Sequence, residues 1–110
     1  MRDHERRRLP QRRRSETYDI DYRGLKKLHT VTLGYYDDGR IGEVFISAGQ
    51  SGDVIEAMAR DTAVIISIAL QLGANIVDIK AALTRDDQDQ ATSIIAVVVD
   101  SMVARQCKDH

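Results

Sequence analysis

Residues Leu28–Ser47 read LHTVTLGYYDDGRIGEVFIS, and this stretch decides the fold. Val31, Leu33 and Tyr35 alternate with Thr30, Thr32 and Gly34 ahead of Asp38-Gly39; Val44 and Ile46 alternate with Glu43, Phe45 and Ser47 after it. A period of two marks half-buried strands. Asp-Gly is the usual pair for a two-residue type I′ hairpin, because both turn positions take positive φ. The pattern therefore predicts strands over about 28–37 and 40–47, with Asp37 opposite Arg40. That register sets Leu33 against Val44, Val31 against Ile46 and Tyr35 against Gly42 on one face. It sets Thr32 against Phe45, Thr30 against Ser47 and Gly34 against Glu43 on the other. The first face is apolar and the second mixed, so turn chemistry and hydrophobic pattern agree. Glu43 and Arg40 flank the hairpin tip, and Asp37, facing Arg40 directly, reads with it as a solvated cross-strand contact of little energy.

Upstream, Tyr18, Ile20 and Tyr22 alternate with Thr17, Asp19 and Asp21, which adds a strand from Glu16 that Gly24 ends. Downstream, Ser51 or Asp53 can cap a helix over about 53–72. Val54, Met58, Ile65, Ile68 and Leu72 share one stripe of it, and 63–70 is apolar nearly all round. Such a helix is expected to be buried on more than one side, lying across the sheet under later helices or a partner chain. Gly73 suits its C-terminal cap. Asn75 caps a short helix over 76–83, with Ile76, Ile79 and Leu83 inward. Residues 85–90 are a polar loop. Over 92–104 the β-branched run Ile94–Val99 suits a strand. The spacing of Ile95, Val98 and Met102, and the length, predict a helix. The expected class is α+β: a three-stranded antiparallel sheet, strand plus hairpin, followed by a long buried helix and two further helices.

Seven of the 16 basic side chains lie in residues 1–14, against two of the 17 acidic ones. A start of about +5 thus precedes a body of about −6 in a chain of net −1. The division expected is a basic tail over 1–15, disordered in isolation, one domain over 16–105 and a polar end at 106–110. Cys107 is the single cysteine, which excludes an internal disulfide framework and a Cys-based zinc site within one chain. The charged start lacks the apolar stretch of a secretory leader, and the near-apolar run 63–72 is too short to span a bilayer. A cytoplasmic location is expected.

Several groups are candidate sites. Gly49, Gln50, Ser51 and Gly52 lead into the longest helix, where free N–H groups and the helix dipole can receive an anion. The lysine and third glycine of a nucleotide fingerprint are absent there, Asp53 opposes a phosphate, and a plain strand-to-helix turn explains the glycines equally well. Asp61, read as partly buried, is a structural or partner-facing carboxylate before it is a general base. Arg6, Arg7, Arg8, Arg12, Arg13 and Arg14 can grip phosphates, lie on an acidic protein surface, or simply solubilise the chain. No aromatics interleave them, so base stacking is not indicated. His4, His29 and His110 share no ligand spacing with one another or with Cys107, so neither a metal centre nor a catalytic residue is assigned.

The run Asp38–Ser47, with Gly49 and Gly52, continues into Arg60-Asp61-Thr62-Ala63, Ser67-Ile68-Ala69-Leu70-Gln71-Leu72-Gly73 and Ile79-Lys80-Ala81-Ala82-Leu83. Together these resemble the TSCPD domain, a module at the C-terminus of adenosylcobalamin-dependent ribonucleotide reductases. Leu9-Pro10-Gln11-Arg12-Arg13 is similar to the arginine-rich start of its short forms, and the resemblance covers about 9–103. It implies Gly39, Glu43, Phe45, Gly49, Gly52, Asp61 and Gln71 as framework and contact set. It also implies a nucleotide or adenosylcobalamin as ligand, a reductase as partner, and a role in deoxyribonucleotide supply. The cysteine segment that names the family is missing, and 110 residues hold no reductase barrel. The implied role is therefore an accessory, non-catalytic module. Two other classes remain open at this point: a nucleic-acid-binding protein working through the arginines, and an inhibitor or adaptor that buries an apolar helix face in a homodimer.

Overall fold

The computed structural model describes residues 5–22, 29–47 and 54–108. β1 (Ser15–Ile20), β2 (His29–Tyr35) and β3 (Ile41–Ser47) are followed by α1 (Val54–Gln71), α2 (Ile76–Ala82) and α3 (Ile94–Lys108). The sheet runs β1-β2-β3, antiparallel throughout. Helices cover one of its faces, an α+β arrangement of two layers.

The hairpin differs from expectation at its tip and agrees beyond it. The Tyr36 N–H donates to Arg40 O at 2.8 Å and the Gly39 N–H to Tyr36 O at 3.0 Å. This is a three-residue loop, Asp37-Asp38-Gly39. Gly39 alone of the three takes positive φ, 91°, whereas a type I′ turn needs two such residues. The longer loop, a type I turn with a left-handed glycine, therefore replaces it. Asp37 does not face Arg40, and Tyr35 pairs with Ile41 instead of Gly42. Left alone, a one-residue slip turns every later side chain to the wrong face. Gly42 absorbs it as a bulge, and from Gly34–Glu43 onward the pairs are those expected: Leu33–Val44, Thr32–Phe45, Val31–Ile46 and Thr30–Ser47.

Val31, Leu33, Tyr35, Val44 and Ile46 form the sheet side of the core, and Ile76, Val98, Val99 and Met102 meet them from the helices. α1 settles on the sheet by Ala59, Ala63, Ile66, Ser67 and Leu70. The helix is not buried on several sides, as its sequence suggests, but on one. Val54, Met58, Ile65 and Leu72 are 72, 64, 66 and 43% exposed. Residues 54, 58, 65 and 72 lie on the opposite side of the helix from 59, 63 and 70. Small alanines let the helix backbone approach the pleat, and the bulkier stripe is left facing out.

Both helix ends carry the chemistry that sequence suggests. The Gly73 N–H reaches Leu70 O and the Ala74 N–H reaches Ala69 O, with Gly73 at φ 105°, a Schellman close to α1. Asn75 Oδ1 accepts the Val77 N–H and caps α2. Ser93 caps α3 through Ala96 N–H. α3 is a helix, as its spacing predicts, and it runs on to Lys108, into the expected polar end. Tertiary contacts hold its last turns: Ile41 N–H donates to Gln106 Oε1 at 2.9 Å, and Arg105 pairs with Glu16 and stacks 3.5 Å over the Tyr18 ring.

Candidate functional site

The site begins at the free edge of β3. Ser67 Oγ accepts the Val44 N–H at 2.9 Å and donates to Val44 O at 3.2 Å. One turn on, Gln71 Nε2 donates to Gly42 O at 2.9 Å. Residues i and i+4 share a helix face, so Ser67 and Gln71 together cover backbone that an edge strand leaves open. This is the physical content of the Ser67–Gly73 motif.

Residues 5–14 cross this corner as a strap. The Arg7 N–H donates to Gln71 O at 2.7 Å. The Tyr36 hydroxyl donates to Arg7 O at 2.6 Å, and the Arg7 guanidinium lies 3.9 Å over the Tyr36 ring, 3.2 Å from Asp38 Oδ2. Arg13 Nε meets Glu43 Oε2 at 2.6 Å. Arg14 stacks 3.9 Å over Tyr35, and the Tyr35 N–H donates to Arg14 O. A Cβ on Gly42 would fall 2.6 Å from Tyr36 Cε2 and 2.7 Å from Leu9 Cδ2. Gly42 thus serves both the bulge and the seat of the strap. The aromatic partners of the arginines come from the hairpin, which is why no interleaving shows in the tail itself.

Burial raises the Tyr36 hydroxyl above its ordinary value, so it stays a donor to Arg7 O. The Arg40 N–H on its carboxylate, and then Arg7, lower Asp38. Between strap and body lies a cleft of about 770 Å3. Arg6, Arg8 and Arg13 line it with Glu5, Glu43 and Gln71, and Leu9 is its one apolar side chain. Arg6 donates to Gln71 Oε1 from Nε at 3.0 Å and from a terminal nitrogen at 2.8 Å. A separate apolar hollow of about 230 Å3 lies between α1 and the start of α3, beside Met58, Ile94 and Tyr22.

Of the expected site residues, Glu43 and three arginines thus come together. Glu43 pairs with Arg13. Arg7 and Arg14 are held on tyrosines, and Arg12 is exposed. Gly49, Gln50, Ser51 and Gly52 lie outside the described residues. Asp61 is exposed, not partly buried, because it falls on the outward stripe of α1. His29 is buried at the start of β2; His4 and His110 are outside the described residues. Among the described residues, no group of three His, Cys, Asp or Glu side chains is placed to hold a metal, and no helix is long and apolar enough to cross a membrane. Tyr36 was not singled out by sequence. Its signal was a second tyrosine beside the turn that strand alternation does not require.

Fold and site define a small two-layer α+β module whose arginine strap closes a charged cleft at a sheet edge. The chain belongs to the TSCPD domain family, which it matches over residues 3–104. It is 38% identical over 80 residues to a vitamin B12-dependent ribonucleotide reductase of Agrobacterium fabrum, covering 73% of this chain and 6% of the relative. The same-named protein of Bradyrhizobium diazoefficiens is 35% identical over 69 residues, 63% of this chain and 5% of that one. The chain therefore spans only a small part of these relatives' length. No solved structure matches.

Proposed function

We propose that this chain is a non-catalytic accessory module of ribonucleotide reduction, serving deoxyribonucleotide supply for DNA synthesis. It docks on a reductase of the B12-dependent class through the outward stripe of α1. The observation that carries this reading is the stripe itself: Val54, Met58 and Ile65 on α1, and Leu72 just past its end, are large, apolar and exposed, with Asp61 among them. An exposed row of large apolar side chains of that kind marks an interaction surface. The partner follows from the relatives, in which the matched region is a minor part of a much larger reductase.

Adenosylcobalamin does not fit the larger cleft. A corrin needs a broad apolar bed, whereas this cleft is lined by Glu5, Arg6, Arg8, Arg13 and Glu43.

The test is co-migration of the 110-residue chain with a B12-dependent reductase, compared with Met58→Glu and Ile65→Glu. Both side chains are exposed, so each variant should keep its stability to within about 0.5 kcal/mol and lose the complex. A complex unaffected by both charges would sink the docking reading. A chain that ignores the reductase, yet dimerises until Ile65→Glu breaks the dimer, would give the stripe to a second copy instead.

A further inference from the structure

We propose that the cleft under the strap binds a small polyphosphate, the tail of a nucleoside di- or triphosphate. This does not rest on reductase docking, since the cleft shares no residue with the α1 stripe.

The cleft carries positive charge. Arg6 spends two donors on the neutral Gln71 carboxamide. A guanidinium carries five N–H donors, so Arg6 keeps its full charge and part of its fork. Arg8 lines the same cleft without an ion-pair or hydrogen-bond partner among the described residues. Two guanidinium groups without an ion-pair partner thus line one concavity, where three arginines stand against Glu5 and Glu43 and leave a positive excess, and planar forks of this kind suit phosphate oxygens. Glu43 is already neutralised by Arg13 at 2.6 Å.

The cleft holds about 770 Å3, within the range of small-ligand sites, roughly 300–1,000 Å3.

A small anion and a nucleic-acid backbone make different demands on the strap. Gripping a duplex needs a row of free cations. Here Arg7 is held by Asp38 and Tyr36, Arg13 by Glu43, and Arg14 on Tyr35. The strap spends the charges of Arg7 and Arg13 on its own body, holds Arg14 against Tyr35, and leaves Arg6 and Arg8 lining the cleft, with Arg12 exposed outside it.

Two further features set the expected selectivity. Leu9 is the one apolar side chain in the lining, so the base and sugar gain little. Glu5 also lines the cleft and opposes an anion.

The experiment is calorimetric titration of the full chain, at low salt, with inorganic triphosphate, ATP, dATP and a short DNA duplex. Triphosphate and ATP should bind with similar affinity. Arg8→Ala should weaken both by about tenfold, the loss of one charge-assisted contact, with the melting midpoint of the free protein unchanged because Arg8 does not hold the strap. Glu5→Gln should tighten binding, and Arg12→Ala, outside the cleft, should leave it unchanged. The proposal is overturned if triphosphate does not bind, if Arg8→Ala binds as well as the parent chain, or if the duplex binds where triphosphate does not. Each outcome is independent of whether a reductase co-migrates.

Discussion

Asp38 and Tyr36 hold Arg7 from opposite sides, one by its guanidinium and one by its backbone carbonyl. Their titrations set a window for the strap. Asp38 is lowered from its ordinary value of 3.8, first by the Arg40 N–H at 3.0 Å and then by Arg7. A lowered carboxyl contributes its stabilisation in full above the unfolded value and loses it as pH falls through the folded one. Tyr36 is raised from 10.0 by burial. A raised phenol contributes below its unfolded value and loses that contribution as pH rises through the folded one. The Arg7 amide, bonded to Gln71 O, should therefore report a docked strap by NMR across neutral pH. It should report a looser one below the ordinary carboxylate value and above that of tyrosine. Asp38→Asn should remove the acid limb. An acid titration that leaves this resonance unmoved would show that Asp38 does not latch the strap.

At the scale of elements, α1 shows what a periodic pattern leaves undecided. Its sequence is apolar on two opposite sides, and hydrophobicity alone favours the bulkier one. Packing chose the side with Ala59 and Ala63, because alanines permit close approach to the sheet and Ser67 on that side meets the open groups of Val44. Ser67→Ala should therefore leave buried backbone groups of β3 without partners and cost about 1–3 kcal/mol in denaturant unfolding. A loss near zero would mean that the β3 edge is satisfied otherwise. The hairpin teaches a related lesson. Its expected pairs hold because two departures, a longer loop and a bulge at Gly42, cancel.

At the scale of the molecule, the uneven charge of the chain closes on itself. The basic start lies over the hairpin and the end of α1, pairing with Asp38 and Glu43. The exposed Arg7–Asp38 pair is weakened by salt, and the more enclosed Arg13–Glu43 pair less so. Deleting residues 1–13 should lower the melting midpoint, and added salt should narrow the gap between full and shortened chains. Equal midpoints for the two at low salt would show that the strap adds nothing to stability.

What the sequence determined by itself was local. Alternation placed three strands, capping residues placed helix ends at Gly73 and Asn75, and the spacing of Val98 and Met102 made the last element a helix despite its β-branched run. Ser67 and Gln71 were visible as a motif without their purpose. The strap, the cleft and the outward stripe were decided by tertiary structure alone. Arg7 finds Tyr36, and Arg13 finds Glu43, across some 30 residues of chain. A run of arginines has no period that names its partners, and hydrophobic periodicity gives the axis of a two-sided helix without saying which side the sheet will take.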